Sequence, residues 1–392
     1  MEKAETNRPA ILLLEDGTLF LGKAFGAETT IVGELVFNTG MVGYPESMTD
    51  PSYSGQVLCF TYPLIGNYGV PSGDEKDVFG LPRRFESDGI KVTGLVVQEY
   101  CRRPNHWDSV QTLSGWMADQ GVPGIEGVDT RALVTTIRER GVMMCALATG
   151  PEVPGKRELK KLLDKSSRYD SVDYVRRVSV KESRTYGMSE RRVVLIDCGV
   201  KESIIRNILA RGYSVVRMPF DSSYSAVMHE DPAGVVVSNG PGDPRLCVET
   251  VRTTSKLVDS DVPVLGICLG EQVLGMSQGA ETYKLKYGHR GQNKPVVDVI
   301  SGKGYVTSQN HGYAVDPKTI AKTELKPWFM NADDQSVEGL VHSTKPCMAV
   351  QFHPEAAPGP YDTEFVFDRF VELMASNKRK SAVGERVRSM RA

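Results

Sequence analysis

The sequence predicts an α/β protein: a β-rich α/β N-terminal domain followed by a doubly wound, mostly parallel C-terminal sheet. Three observations carry this. Short β-type runs between turn residues fill the first 150 positions. From Arg192 onwards strand-like and helix-like runs alternate, and repeated βα units imply a parallel sheet with helices on both faces. The length, 392 residues, suits two domains at roughly 100–200 residues each.

The first elements are hairpin-like. Ile11–Leu14 and Thr18–Leu21 flank Glu15-Asp16-Gly17, and glycine accepts the positive φ of a tight turn. Turns are expected at Asn38-Thr39-Gly40, Tyr44-Pro45 and Asp50-Pro51. A helix is expected after Gly127, capped by Asp129 or Thr130, with Leu133, Val134 and Ile137 on its apolar face and Gly141 ending it. Residues 151–191 are charged and weakly periodic and read as an inter-domain linker. Val193–Ile196, Val215–Met218, Gly234–Val237 and Val262–Ile267 are then strands, with helices over Lys201–Arg211, from Asp243-Pro244, and over Leu269–Ser277. The expected domains are 1–150, the linker 151–191, 192–378, and a basic tail 379–392 that frays.

Composition excludes several classes of function. Hydrophobic residues make up 40% and charged residues 24%, and 47 Lys and Arg balance 49 Asp and Glu. A net charge of -2 gives no general attraction to nucleic acid or membrane surfaces. No apolar run reaches the roughly 20 residues of a membrane span. The start, Met1-Glu2-Lys3-Ala4-Glu5, lacks a secretory pattern, so the expected location is cytoplasmic. Seven cysteines at 59, 101, 145, 198, 247, 268 and 347, none at CxxC spacing, argue against a disulfide framework or thiolate zinc. There is no HExxH pattern and no GxxxxGK[ST] loop, so no metal or cofactor is expected in this chain, and any ATP binds elsewhere.

The most informative stretch is Val264-Leu265-Gly266-Ile267-Cys268-Leu269-Gly270. It reads as a buried strand, a sharp turn and a helix, with glycines two residues either side of the cysteine, the thiol counterpart of a G-x-S-x-G elbow. Such a turn lifts the sulfur out of the sheet and sets it at a helix N-terminus, which favours the thiolate. A free cysteine is otherwise more often a buried core residue. Cys198, the rival nucleophile, also follows a strand, but it has Asp197 before it and no glycine at minus two, and it reads as structural.

A cysteine nucleophile needs a base. Met348–Phe352 reads as a strand, so His353 sits beyond its carboxyl end on the same sheet edge as Cys268. Pro354 favours extended geometry before it, which lets His353 and Glu355 share a face. Histidines 106, 229, 289, 311 and 342 have no comparable setting. Asn239-Gly240-Pro241-Gly242-Asp243-Pro244 follows another strand; its N–H groups, with that of Leu269, could hold an oxyanion, although a plain βα turn uses the same residues.

Gly-Ile-Cys268-Leu-Gly, Ser-Asn-Gly-Pro-Gly-Asp-Pro and Gln-Phe-His353-Pro-Glu355 resemble, in order, the three motifs of class I triad glutamine amidotransferases, over about 192–375. Phe37-Asn-Thr-Gly-Met-Val-Gly-Tyr-Pro-Glu46, Thr49-Asp-Pro-Ser-Tyr-Ser54, Thr61-Tyr-Pro-Leu-Ile-Gly-Asn67, Gly127-Val-Asp-Thr-Arg131 and Ser308-Gln-Asn-His-Gly312 resemble the carbamoyl-phosphate synthetase small-subunit family. The resemblance implies Cys268, His353 and Glu355 as catalytic residues, and Ser54, Gly240, Gly242, Leu269, Gln272, Asn310, Gly312 and Tyr313 as the L-glutamine-binding set. It implies a glutamyl thioester on Cys268 and ammonia passed to a large subunit that carries ATP and divalent metal. That partner would make carbamoyl phosphate for arginine and pyrimidine synthesis. One residue departs from the pattern: Glu271 stands where this family often has histidine, and an anion there would raise the Cys268 pKa unless it points outwards to a cation. Two other readings compete. A non-catalytic docking subunit would release no glutamate even with a synthetase. A free-standing γ-glutamyl hydrolase would turn over alone and ignore a partner.

Overall fold

The computed structural model describes residues 8–389, and side chains as far as residue 377; the polar N-terminal stretch lies outside the described residues. The chain divides into two compact units, Met1–Tyr174 and Val175–Ala392.

The first unit is a closed barrel. Its strands are β1 (Pro9–Leu14), β2 (Leu19–Gly26), β3 (Thr30–Asn38), β4 (Gln56–Phe60), β5 (Gly94–Val96), β6 (Pro123–Glu126) and β7 (Met143–Thr149). They close in the order β1-β2-β6-β5-β4-β3-β7. The expected hairpin joins β1 to β2 in antiparallel register, and Gly17 takes φ +89° in its turn. Helix α1 (Thr130–Arg140) is capped by Asp129, which accepts from Ala132 N–H, and ends at Gly141 with φ +97°. Leu133 and Ile137 are buried on its inner face. The Tyr44-Pro45 turn instead opens a short helix, Tyr44–Thr49, since proline is at home in a helix's first turn. Within the stretch read as linker, α2 (Lys156–Lys165) buries Leu159 and Leu163 against Leu13, Met144 and Ala146 of the barrel.

The second unit is built on one ten-stranded sheet. Its strands are β8 (Arg184–Tyr186), β9 (Arg192–Asp197), β10 (Ser214–Pro219), β11 (Gly234–Val237), β12 (Val264–Ile267), β13 (Thr282–Asp298), β14 (Gly304–Val315), β15 (Leu325–Asn331), β16 (Val337–His342) and β17 (Cys347–Val350). The spatial order is β8-β10-β9-β11-β12-β17-β16-β15-β13-β14. The five strands β10-β9-β11-β12-β17 are parallel, and the βα pattern predicts them. An antiparallel flank, β16-β15-β13-β14, continues the sheet.

The longer helices are α3 (Glu202–Ala210), α4 (Val248–Asp259), α5 (Leu269–Ser277) and α6 (Phe365–Ser389). A 3-10 turn, Pro244–Leu246, precedes α4 where the sequence suggests a helix from Pro244 directly. Leu257 and Val258 of α4 and Val273 and Leu274 of α5 pack on one sheet face with Val194, Val235 and Val264. On the other face Gly234 lets α6 approach: a Cβ there would lie 2.7 Å from Met374 Sδ. The basic tail is not a frayed end in its backbone, because α6 runs through it to Ser389. Among the described residues no helix is long and apolar enough to cross a membrane.

Candidate active site

Four neighbouring parallel strands, β9, β11, β12 and β17, end at one sheet edge, and each delivers part of the site from its carboxyl end, where such sheets take ligands. Cys268 follows β12 directly. It stands as N-cap of α5 with φ 55° and ψ -104°, a strained conformation for a residue with a Cβ. Its N–H donates to Val350 O at 2.8 Å, tying the elbow to β17. The flanking glycines are sterically required: a Cβ on Gly266 would sit 2.4 Å from Gly270 O, and one on Gly270 2.0 Å from Val237 O. Cys268 is 2% exposed, and its sulfur lies 3.7 Å from Asn310 O.

β17 ends at Val350, two residues short of the expected strand end. His353 is nevertheless held extended, its N–H donating to Ser308 O of β14 at 2.9 Å. His353 Nδ1 lies 2.6 Å from Glu355 Oε1, and Nε2 has no hydrogen-bond partner among the described residues. Burial disfavours the charged imidazole, but the Glu355 carboxylate and the Cys268 sulfur outweigh it and push the His353 pKa up to about 10. Burial also opposes the Glu355 charge, yet Lys201 and His353 hold that carboxyl down at about 2.

Lys201 is the member that sequence reading missed. Its Nζ lies 3.1 Å from Glu355 Oε1 and donates to Ala356 O at 2.8 Å, and it is 4% exposed. Asp197 shapes the turn leading to it, with Oδ1 accepting the N–H groups of Gly199 and Val200 at 2.9 Å each and Oδ2 meeting Arg217. An Asp followed by Cys-Gly was a legible turn signal; the ion pair across 154 positions was not. Cys198 itself lies in the core, its N–H donating to Ser238 Oγ at 2.9 Å.

The glycine loop after β11 packs against this edge. A Cβ on Gly240 would meet Cys198 O at 2.2 Å and Leu269 Cδ2 at 2.8 Å, so the loop passes close to the start of α5; Gly242 takes φ +92°. Leu269 opens α5, and a first-turn N–H has no intrahelical partner. Gln272, one turn on, donates to Tyr313 O at 2.9 Å. Asn310, Gly312 and Tyr313 all lie on β14 beside the elbow. Ser54 belongs to the first unit, at the end of the 3-10 turn Pro51–Tyr53.

Glu271 corrects one expectation. It does not point outwards and pairs with no cation among the described residues: it is 0% exposed, and desolvation with the nearby Glu338 charge raises its pKa well above that of an ordinary carboxyl. It favours the neutral acid, so repulsion of the thiolate is weakened. With its amide nitrogen turned towards Glu271, Gln351 reaches Oε2 at 3.0 Å and its oxygen accepts from Gln272. His289 and His311, which have no setting in the linear sequence, form a buried cluster with Glu338.

A cysteine elbow at one strand's end, with a histidine–carboxylate pair beyond the end of the neighbouring parallel strand, is the arrangement of a class I glutamine amidotransferase, and residues 194–373 match the family described as glutamine amidotransferase class-I. Residues 12–147 match the family described as carbamoyl-phosphate synthase small chain, CPSase domain. A carbamoyl phosphate synthase small chain from Pyrococcus furiosus is 48% identical over 377 residues, covering 95% of this chain and 99% of that protein. Arginine-specific small chains of the same synthase are 48% identical in Phaeosphaeria nodorum, covering 93% of this chain and 75% of that one, and 47% identical in Neurospora crassa, covering 96% and 83%. This chain belongs to the carbamoyl phosphate synthase small chain family.

Proposed function

We propose that the chain is the glutamine-hydrolysing subunit of carbamoyl phosphate synthase, with Cys268 as nucleophile, His353 as proton carrier and Glu355 as its orienter. One observation carries the assignment: Cys268, strained at the N-terminus of α5, interacts with a buried imidazole whose other nitrogen is 2.6 Å from a carboxylate. Cys268 Sγ attacks the glutamine side-chain carbonyl carbon, and the oxygen takes the negative charge. The Leu269 N–H and the Gly240–Gly242 loop stabilise that oxyanion. His353 Nε2 gives its proton to the departing nitrogen; the C–N bond breaks, leaving a glutamyl thioester and ammonia. Water, deprotonated by His353, then cleaves the thioester to glutamate and restores the thiolate–imidazolium pair. Glu355 fixes the ring with its Nδ1 proton inward, and Lys201 keeps Glu355 ionised.

Gln272, Asn310, Gly312 and Tyr313 form the glutamine pocket in this reading, and the family resemblance alone adds Ser54. Residues 1–150 dock a large subunit that carries ATP and divalent metal and turns the ammonia into carbamoyl phosphate, for arginine synthesis as in the named relatives and for pyrimidines.

The test is glutamate release by wild type and Cys268→Ser, each with and without an ATP-dependent large subunit. Wild-type activity should rise with the partner, and the variant should lose on the order of 10³-fold or more. Activity surviving in the variant would remove Cys268 as nucleophile. No glutamate with the partner present would leave a docking subunit, and turnover indifferent to the partner a free-standing hydrolase.

A further inference from the structure

The hairpin β13–β14 carries two histidines directly opposite one another in register, His289 and His311, and Glu338 of β16 lies beneath both. All three side chains are buried: His289 9%, His311 1% and Glu338 0% exposed. One ligand atom from each lies within 4.8 Å of the others. The shorter hydrogen bond of each ring favours one tautomer. His311 Nδ1 is 2.9 Å from Tyr313 O, which can only accept, so Nδ1 carries the proton and Nε2 presents a lone pair. That lone pair faces oxygens, Gln309 Oε1 at 3.3 Å and Glu338 Oε1 at 3.9 Å. His289 Nε2 is 2.8 Å from Asp334 Oδ2, which places its proton there. His289 Nδ1 lies 3.3 Å from Glu338 Oε1 and has no well-aligned hydrogen-bond partner among the described residues.

Two imidazole lone pairs and a carboxylate oxygen thus converge, with each histidine's far nitrogen anchored on an oxygen acceptor. That is the outer arrangement by which proteins orient histidine ligands for a metal. Glu338 is braced in the same way, its Oε1 accepting from Asn331 Nδ2 at 2.9 Å and its Oε2 from Gln309 Nε2 at 3.0 Å. Metal–ligand bonds of about 2 Å in a tetrahedron set ligand atoms about 3.3 Å apart. The Nδ1–Oε1 separation already has that value, His311 Nε2–Glu338 Oε1 is 3.9 Å, and all three ligand atoms lie within 4.8 Å of one another.

We propose that His289 Nδ1, His311 Nε2 and Glu338 Oε1 bind a divalent transition-metal cation of the zinc class, with Gln309 Oε1 facing the fourth position. The metal joins β13, β14 and β16 and so stiffens the strand that carries Asn310, Gly312 and Tyr313. It is a structural centre and takes no part in the bond changes at Cys268. Its charge offsets Glu338 and the neighbouring Glu271, while Arg290 and His353 oppose it. The competing occupant is a proton: burial works against a charged His289, but Glu338 and Asp334 outweigh that and raise its pKa.

Full-length protein purified without a histidine tag is analysed for bound metal, stripped with a chelator, and titrated with Co(II) while ligand-field absorption is recorded. Wild type and Cys268→Ser should both hold about one zinc per chain, and the apo forms should give tetrahedral Co(II) bands. Glu338→Gln and His289→Gln should bind at least about tenfold more weakly. Wild-type protein that neither retains zinc nor gives those bands overturns the proposal and leaves a proton between the side chains. Metal lost in Cys268→Ser but kept in Glu338→Gln also overturns it. The Co(II) titration of wild type decides the matter even where a variant fails to fold, and it reads no glutaminase activity.

Discussion

Lys201 and Glu271 show how single buried ionisable groups set the electrostatics at this sheet edge. Lys201→Met removes the cation that holds Glu355 at about 2. A carboxyl whose folded pKa is depressed contributes stability above its unfolded value, 4.5, and that contribution disappears as pH falls from 4.5 towards 2. In the variant the Glu355 pKa rises, so the acid limb of kcat/KM moves to higher pH, and acid unfolding begins earlier. Breaking a buried pair also costs about 3 kcal/mol at neutral pH. Profiles of kcat/KM and Tm against pH check both shifts, and an unmoved acid limb would detach Lys201 from Glu355. His353 works in the opposite sense. Its pKa is raised to about 10, so its contribution is complete below 6.5 and is lost as pH climbs from 6.5 to 10. Glu271 carries a raised carboxyl pKa, so the folded chain loses stability as pH rises above 4.5. Glu271→Gln keeps the shape without the ionisable proton. Its Tm should gain on wild type as pH rises, while kcat/KM stays within about twofold, a change below about 0.5 kcal/mol. A collapse in activity would mean that the carboxyl acts in the site.

At the scale of elements, the elbow was legible because its constraints are local. A strand, a strained cysteine and a helix start need small residues at 266 and 270, and the structure supplies the backbone oxygens that would clash with anything larger. Gly266→Ala and Gly270→Ala should each cost about 1–3 kcal/mol or more and displace the sulfur from His353. Gly304→Ala, whose Cβ meets nothing nearer than 3.9 Å, should stay within about 0.5 kcal/mol. Urea midpoints and glutaminase rates separate the cases, and a stable, active Gly270→Ala would refute the packing account. The parallel strands were legible for the same local reason, being short apolar runs bounded by turns. The antiparallel flank was not. β13 is long and polar, with bulges between Lys284 and His289 and between Gly291 and Lys294 that break any alternation of two. β8 is three half-polar residues, recognisable only once β10 is there to pair with it. Likewise β14 meets His353 through the Ser308 bridge and the elbow through Asn310 O and Tyr313 O, contacts that no sequence window spans.

At the scale of the whole chain, the two units divide along the line that separates the two family matches, 12–147 in one and 194–373 in the other. The second holds every residue proposed for amide cleavage, whereas Ser54 of the proposed glutamine-binding set lies in the first, and the sequence has no GxxxxGK[ST] phosphate loop. On the proposed division of labour this chain makes ammonia and its partner consumes it. Chemistry downstream of ammonia should then be indifferent to Cys268. A complex of Cys268→Ser with the large subunit should make no carbamoyl phosphate from glutamine, bicarbonate and ATP. The same complex given an ammonium salt should make it at a rate within about twofold of wild type, a difference below about 0.5 kcal/mol in the barrier. Assaying both nitrogen sources on one preparation controls for folding and assembly, because the ammonium arm requires an intact complex. Loss of both activities would mean that the cysteine supports the partner's chemistry as well as its own, and the assignment of separate tasks to separate chains would fall.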